Sequence, residues 1–387
     1  MATLVINAGS TTIKYKLFDS SLLEILSGVI DNTSHGVTSE LKKHGKTYEW
    51  ELSADEFQHP AQVLMKELTD YHVDLIGFRV VHGGEEFIHP TRITDDVLKS
   101  LDGLSDLAPL HNPPAVRVIS DFRQVMPDVP MYAVFDTAFH ASMPPESYIY
   151  SIPYHYYQED KIRKYGFHGT SHKYVYNRIR QLEERTGKVI TCHLGGGASI
   201  TAIRDGSVLD TSMGFTPLEG LTMATRSGDI DAGVVLHMAR TLGMSPDRIN
   251  SVLNRESGLL GLSGTTSDMR TLLEQEQDGD QRAGLAIETY IYDIKRYIGS
   301  YTAVLEGLDA LVFTAGVGQG SDVIRKRICA GLDIFGIRID DAANDGAHNV
   351  KTELKISSKD SIPVWVIPTN EEWQIAEEVT AAHAEYS

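Results

Sequence analysis

The residues of this 387-residue chain best suited to chemistry are a glycine turn, two arginines, a histidine and three polar residues at the ends of apolar runs. The turn is Gly195-Gly196-Gly197-Ala198-Ser199, entered directly from the apolar run 189–192. Glycines there let the backbone approach a ligand and turn its N–H groups toward an anion. Arg226 follows in Thr225-Arg226-Ser227-Gly228-Asp229. A phosphate-type turn followed by a lone arginine in a polar loop points to handling of a phosphoryl group. On spacing alone, the same stretch also reads as a tight hairpin and a surface arginine. Arg79 lies between Phe78 and Val80, an unsuitable setting for a simply solvated arginine. Asn7, Asp136 and Glu371 each follow an apolar run, and His168 stands between Gly166 and Gly169. In α/β sheets ligands sit at the carboxyl ends of strands. Each residue also has a structural reading: Asn7 as a turn former, Asp136 and Asn370 as helix caps, Glu371 as a first-turn acid, His168 and His111 as structural histidines.

The elements that must position these groups alternate between strand and helix, so the class is α/β. The segment 4–6 runs through Asn7-Ala8-Gly9-Ser10-Thr11-Thr12 into a strand over 13–18. That strand–turn–strand grammar returns at 190–205, which predicts a duplicated α/β unit, one per domain. Helical spacing covers 54–71, 113–123, 171–184, 232–242 and 246–254. It is clearest over 283–305, where apolar residues recur at three and four. The apolar strand 310–313 runs into Gly316-Val317-Gly318-Gln319-Gly320, read as a glycine segment before a helix from Asp322. A strand over 363–367 and a helix over 371–382 end the chain. The domains are expected at 1–150 and 151–387, with the C-terminal helix packing back on the first. No Pro-, Gly- or Ser-rich linker separates the halves, so a close pair with a cleft is expected.

Composition narrows the function further. Lys plus Arg is 35 against 53 Asp plus Glu, a net charge of −18. That argues against general binding to nucleic acid or anionic membrane. A site for anions must therefore be made positive locally, which gives Arg79 and Arg226 weight. The two cysteines, Cys192 and Cys329, have no partner motif, as expected of a chain from a reducing cytoplasm. No run approaches the ~20 apolar residues of a membrane span. A GxxxxGKS/T P-loop is absent, as is the protein-kinase loop set. The turn at Gly195 opens a hairpin rather than a helix, unlike a dinucleotide-binding unit.

Ten motifs in order then give a resemblance: NAGSTTIK from Asn7, GFRVVHGG from Gly77, LAPLHNPPA from Leu107, AVFDTAFH from Ala133, YGFHGTSH from Tyr165, HLGGGAS from His193, DTSMGFTPLEGLTMATRSGDID from Asp210, TSDMR from Thr266, FTAGVG from Phe313 and IPTNEE from Ile367. Over nearly its whole length the chain resembles the acetokinase family of the sugar kinase, Hsp70 and actin superfamily. The resemblance implies a duplicated ribonuclease H-like (actin/Hsp70-type) two-domain fold with an interdomain cleft. It implies reversible transfer from ATP to acetate, giving acetyl phosphate and ADP, with Mg²⁺ or Mn²⁺, in a cytoplasmic homodimer. By resemblance, Asp136, His168 and Arg226 are catalytic, and Arg79 and His111 bind the acyl substrate. Asn7 and Glu371 match metal positions. Lys14, His193, Leu194, Gly195, Gly196, Gly197, Asp268, Met269, Arg270, Gly316, Val317, Gly318, Gln319 and Gly320 match nucleotide-contacting segments. The acceptor is a carboxylate, already ionised at pH 7. It needs no strong base; it needs positive groups to bring two anions together.

Three departures from the family pattern fall on the nucleotide side: Gly196 for a usual Asn, Gln319-Gly320 for Glu-Asn, and Ala224 for Gly. They bear on nucleotide affinity and donor choice. Alternative expectations are a propionate kinase, since one methylene is worth only ~1–3 kcal/mol, and a donor such as pyrophosphate. A non-catalytic actin-like protein is a third.

Overall fold

A computed structural model describes residues 1–9, 11–106 and 112–386. The chain divides into two compact units, Met1–Ala141 with Asn370–Ser387, and Ser142–Thr369.

The strands of the first unit are β1 (Thr3–Ala8), β2 (Thr12–Phe18), β3 (Glu24–Thr33), β4 (Gly36–Lys43), β5 (Lys46–Leu52), β6 (Leu75–Val80), β7 (Thr91–Arg92) and β8 (Met131–Phe135). Among the described residues they form one sheet in the order β5-β4-β3-β2-β1-β6-β8-β7. β1 is antiparallel to β2 and parallel to β6, which is parallel to β8. The alternation of β2 is physical: Ile13, Tyr15 and Leu17 are buried while Lys14 is exposed. β1 and β6 are apolar almost throughout because both faces are covered.

One face of this sheet packs Leu4, Ile6 and Phe78 with Ala61 and Leu64 from the helix Pro60–Glu67 and with Val118, Ile119 and Phe122 from the helix Asn112–Val125. The other packs Val5, Leu75, Tyr132 and Val134 against Ile375, Ala376 and Val379 of the helix Glu371–Tyr386. Burying an Ile or Val of this kind contributes about 1.5–3 kcal/mol. Gly77 makes that approach possible, since a Cβ on it would lie 2.9 Å from Val379 Cγ2 and 3.0 Å from Ile375 Cγ2.

The second unit contains β9 (Lys188–Leu194), β10 (Ala198–Arg204), β11 (Ser207–Thr211), β12 (Ala310–Thr314), β13 (Leu354–Lys355) and β14 (Val364–Val366). Their order is β11-β10-β9-β12-β14-β13. β11, β10 and β9 are antiparallel neighbours, and β9, β12 and β14 are parallel. β11-β10-β9-β12-β14 thus repeats β3-β2-β1-β6-β8 in order and direction. The fold is a duplicated ribonuclease H-like α/β fold. The long helix Gln281–Val304 buries Ala283, Ala286, Ile287, Tyr290, Ile291, Ile294, Ile298 and Tyr301 at the spacing read from the sequence.

Three local readings change. The segment 54–71 is two helices, Ala54–Gln58 and Pro60–Glu67, because Pro60 starts a new helix after His59 leaves helical geometry. The glycine segment after β12 is itself the short helix Ala315–Gly320, followed at Ser321 by the cap of the helix Asp322–Cys329. Gly258–Ser263 and Met269–Gln277 are further helices that the spacing did not announce.

Candidate active site

In the first unit the polar residues stand together at the carboxyl ends of three parallel strands. Asn7 is the register partner of Arg79 across β1 and β6, and Asp136 follows β8, its N–H donating to Val80 O at 3.0 Å. Arg79 Nε donates to Asp136 Oδ1 at 3.0 Å, and Nη2 pairs with Asp136 Oδ2. Arg79 Nη1 donates to Asn7 Oδ1 at 3.0 Å. Asp136 is 1% exposed. Burial works against the guanidinium charge, but Asp136 and Glu371 attract it, and its pKa is raised. Glu371 opens the helix Glu371–Tyr386, whose start Asn370 caps by accepting from Trp373 N at 3.3 Å. Burial pushes the Glu371 carboxyl up to about 7; Arg79 pulls it down, and Asp136 and Glu372 push it up. Lys14, opposite Asn7 in the β1–β2 register, is exposed, and its charge also pulls Glu371 down.

In the second unit the corresponding strand ends carry His193 and Thr314, which are register partners across β9 and β12. The turn that follows β9 closes through Gly195 N to Gly197 O at 3.0 Å. Ala224 N donates to Gly196 O at 3.1 Å, which ties the turn to the loop carrying Arg226. That loop is held further by Ser227 N to Leu253 O and Ser257 N to Thr225 O, both 3.0 Å. Arg226 Nη1 donates to Pro217 O at 3.0 Å and lies 3.8 Å from Met223 Sδ. Among the described residues no carboxylate pairs with it, and burial lowers its pKa.

His168 precedes the helix Gly169–Leu182 with φ 58° and ψ 23°, and its side chain does not cap the helix. A left-handed conformation at a non-glycine residue is costly and concentrates at functional sites. Its Nδ1 lies 2.9 Å from Ser199 Oγ, and His172 Nε2 lies 2.8 Å from the same oxygen. The His168 ring stacks on His193 with centroids 4.2 Å apart. His193 Nδ1 in turn lies 2.8 Å from Ser171 Oγ. With Nδ1 against Ser199, His168 turns Nε2 toward Gly197, where Arg226 Nη1 also arrives.

A cavity of about 630 Å³ lies entirely in this unit. Its walls include Gly195, Gly196, Asp268, Met269, Arg270, Gly316, Val317 and Gly320, with apolar cover from Leu259, Leu273, Tyr290 and Val323. Residues far apart in the sequence thus line one space of ligand size. Asp268 caps the helix Met269–Gln277 by accepting from Arg270 N and Thr271 N, and pairs with the Arg270 guanidinium at 3.0 Å.

Not every expected residue faces that space. Leu194 is fully buried beneath Gly318. Gln319 turns its amide to Val350 O. His111 lies outside the described residues, as do Ser10 and 107–110. Sequence reasoning missed His172, Ser199, His348 and Asn349. His172 stands four residues after His168, its N–H donating to His168 O at 2.9 Å in the first helical turn, and that spacing was a signal that was available. His348 and Asn349 line the cavity from a segment with no periodicity and no motif.

The acetokinase family model matches residues 2–377. An acetate kinase of Dictyoglomus thermophilum is 44% identical over 395 aligned residues, 98% of each chain. A crystal structure of Porphyromonas gingivalis acetate kinase superposes with TM-score 0.91 at 36% identity, covering 98% of this chain and 99% of that one. A propionate kinase structure from Francisella tularensis has TM-score 0.91 at 39% identity with the same coverage. With a family model spanning almost its whole length, this chain belongs to the acetokinase family.

Proposed function

We propose that the protein is a carboxylate kinase, moving a phosphoryl group reversibly from ATP to acetate to give ADP and acetyl phosphate. The state of its two arginines carries this reading. Arg79 is neutralised by Asp136 in a two-point pair, while Arg226 is a half-buried cation against a carbonyl and a thioether, with no carboxylate paired to it among the described residues. A cation held in that way favours an anion, the more so in a chain of net charge −18. Arg226 and His168 Nε2 are assigned to the moving phosphoryl oxygens, with the N–H groups of Gly196 and Gly197 behind them, since that of Gly195 closes the turn. Arg79 is assigned to the acetate carboxylate.

The acceptor arrives ionised, so no residue has to remove a proton from it. What the protein supplies is positive charge where two anions meet and charge spreads during transfer. Asp136, held by Arg79, serves to position rather than to act as a base.

A divalent ion, Mg²⁺ or Mn²⁺, fits the first unit's donor set. Asn7 Oδ1, Asp136 and Glu371 offer hard oxygens, and carboxylates outnumber the cation Arg79. Magnesium takes one or two protein oxygens, the rest coming from phosphate and water. When bound it neutralises phosphate charge.

The cavity favours a nucleoside triphosphate over pyrophosphate. Its apolar walls of Leu259, Leu273, Tyr290 and Val323 suit a base and ribose, which pyrophosphate lacks. Lys14, His193, Gly195, Gly196, Gly197, the Asp268–Arg270 corner and the helix Ala315–Gly320 are the proposed nucleotide contacts. Propionate is the second reading for the acceptor, favoured by the likeness to the Francisella tularensis propionate kinase. The test is a matrix of acetate and propionate against ATP and pyrophosphate. Acetate with ATP should give the highest kcat/KM; a higher value with pyrophosphate would remove the nucleotide assignment.

A homodimer also belongs to this proposal. The helix Ala232–Arg240 buries none of its residues, and Val234, Leu236 and Leu242 are exposed. Light scattering should give twice the 42.7 kDa of the chain. A reducing cytoplasm is proposed because Cys192 and Cys329 are both free and buried.

A further inference from the structure

Among the described residues Arg325 is the largest fully buried side chain, at 0% exposure, on the helix Asp322–Cys329. Among the described residues no carboxylate forms an ion pair with it. Its five N–H donors are instead all spent on neutral oxygens. Nη1 donates to Gly318 O at 2.9 Å and to Gln319 O at 3.0 Å. Nε donates to Asn344 Oδ1 at 2.9 Å. Nη2 donates to Asn344 O at 3.2 Å and to Ala347 O at 2.9 Å.

Those acceptors belong to two different walls of the 630 Å³ cavity. Gly318 and Gln319 lie in the helix Ala315–Gly320, which gives Gly316, Val317 and Gly320 to the lining. Asn344 and Ala347 lead into His348 and Asn349, which line it from the other segment. The walls meet closely there: a Cβ on Gly320 would lie 2.9 Å from Asn349 Oδ1. Gln319 Nε2 donates to Val350 O across the same seam. Asn344 Nδ2 adds a bond to Asp322 O at 2.9 Å.

We infer that Arg325 is a positioning residue for the nucleotide: one guanidinium fork sets the spacing of the two cavity walls without touching the ligand. This rests on the reading of the cavity as the nucleotide site. The fork matters because its donors are fixed in a plane and reach both segments at once. A buried cation without a paired carboxylate is costly to keep, and simple filling of this volume would be served by an apolar side chain. Five satisfied donors across a seam give the charge a use that filling does not. The charge also suits the carbonyl end of a helix. Lysine offers donors from a single point and cannot span both segments.

The test is Arg325→Lys, read by KM for ATP and for acetate, kcat, and the ADP Kd by calorimetry. Loss of preorganisation should raise the ADP Kd and the KM for ATP about ten-fold, with KM for acetate within about two-fold. Asn344→Ala should shift the same two constants in the same direction by less. A folded Arg325→Lys protein that binds ADP like the wild type overturns the inference, as do kcat and KM for acetate changing in step with KM for ATP. Hydrogen exchange on the unmodified protein needs no variant. ADP should protect 315–320 and 344–349 together, and protection of one segment alone counts against the inference. A wild type that does not bind ADP removes the reading of the cavity itself. ADP binding that survives the substitution removes only the role of Arg325.

Discussion

Arg226 Nη1 and His168 Nε2 are equally close, 3.3 Å each, to the point where a Cβ on Gly197 would stand. The third glycine of the turn is thus the shared floor beneath a guanidinium and an imidazole. Gly197→Ala would push one or both aside by a few tenths of an ångström. Misplacing such groups lowers turnover more than binding. The expected outcome is a kcat reduced about ten-fold or more with little loss of thermal stability. A Gly197→Ala enzyme with unchanged kcat would show that these two groups do not act from that floor.

The two arginines should separate in a stability experiment although both are needed for turnover. Arg79→Ala takes away the guanidinium that pairs with the buried Asp136, and breaking a buried ion pair should cost about 3–5 kcal/mol in chemical denaturation. Asp136→Asn in the same chain should restore much of it. Arg226→Met removes a cation that no carboxylate among the described residues pairs with, so stability should hold or rise. Turnover should fall about 100-fold or more in both single variants. Equal destabilisation by the two changes would contradict the contrast drawn between them.

Gly196 lines the cavity, and a Cβ on it would meet nothing within 4 Å. Its φ needs no glycine, so the position has room for a side chain. A carboxamide there can donate to a phosphate oxygen, a bond worth about 1.5–3 kcal/mol when made to a charged group. Gly196→Asn should therefore lower KM for ATP several-fold and leave KM for acetate in place. An unchanged KM for ATP would mean the open volume at Gly196 does not face the phosphates.

The C-terminal helix depends on Gly77. A methyl group there would overlap Val379 and Ile375, and forced overpacking costs about 1–3 kcal/mol. Gly77→Ala should lower Tm by several degrees, and Val379→Ala in the same chain should recover part of the loss. A Gly77→Ala protein as stable as the wild type would show that the helix can shift at no cost.

Why some of this was legible in the sequence can be argued residue by residue. Asn7, Arg79 and Asp136 stood out because a polar residue ending a short apolar run has few places to go in an α/β sheet, and here Arg79 bonds to both of the others. The duplication was readable from the strand–turn–strand grammar at both β1–β2 and β9–β10. The helix Ala315–Gly320 was hidden because three of its six residues are glycines, which read as loop. Its packing overrides that propensity: a Cβ on Gly318 would stand 3.4 Å from Leu194 Cβ. The helix Met269–Gln277 did carry a signal, Asp268 as its cap. Asn349 left none, because its place beside Gly320 comes from a contact between segments that are not neighbours in sequence.

The most direct test of the account is capture of the product as a hydroxamate from acetate, ATP and Mg²⁺ with the purified protein. Acetyl hydroxamate should accumulate with time, require ATP and acetate, and nearly vanish with Arg226→Ala. No acyl hydroxamate from acetate or propionate with either donor would contradict the proposed reaction.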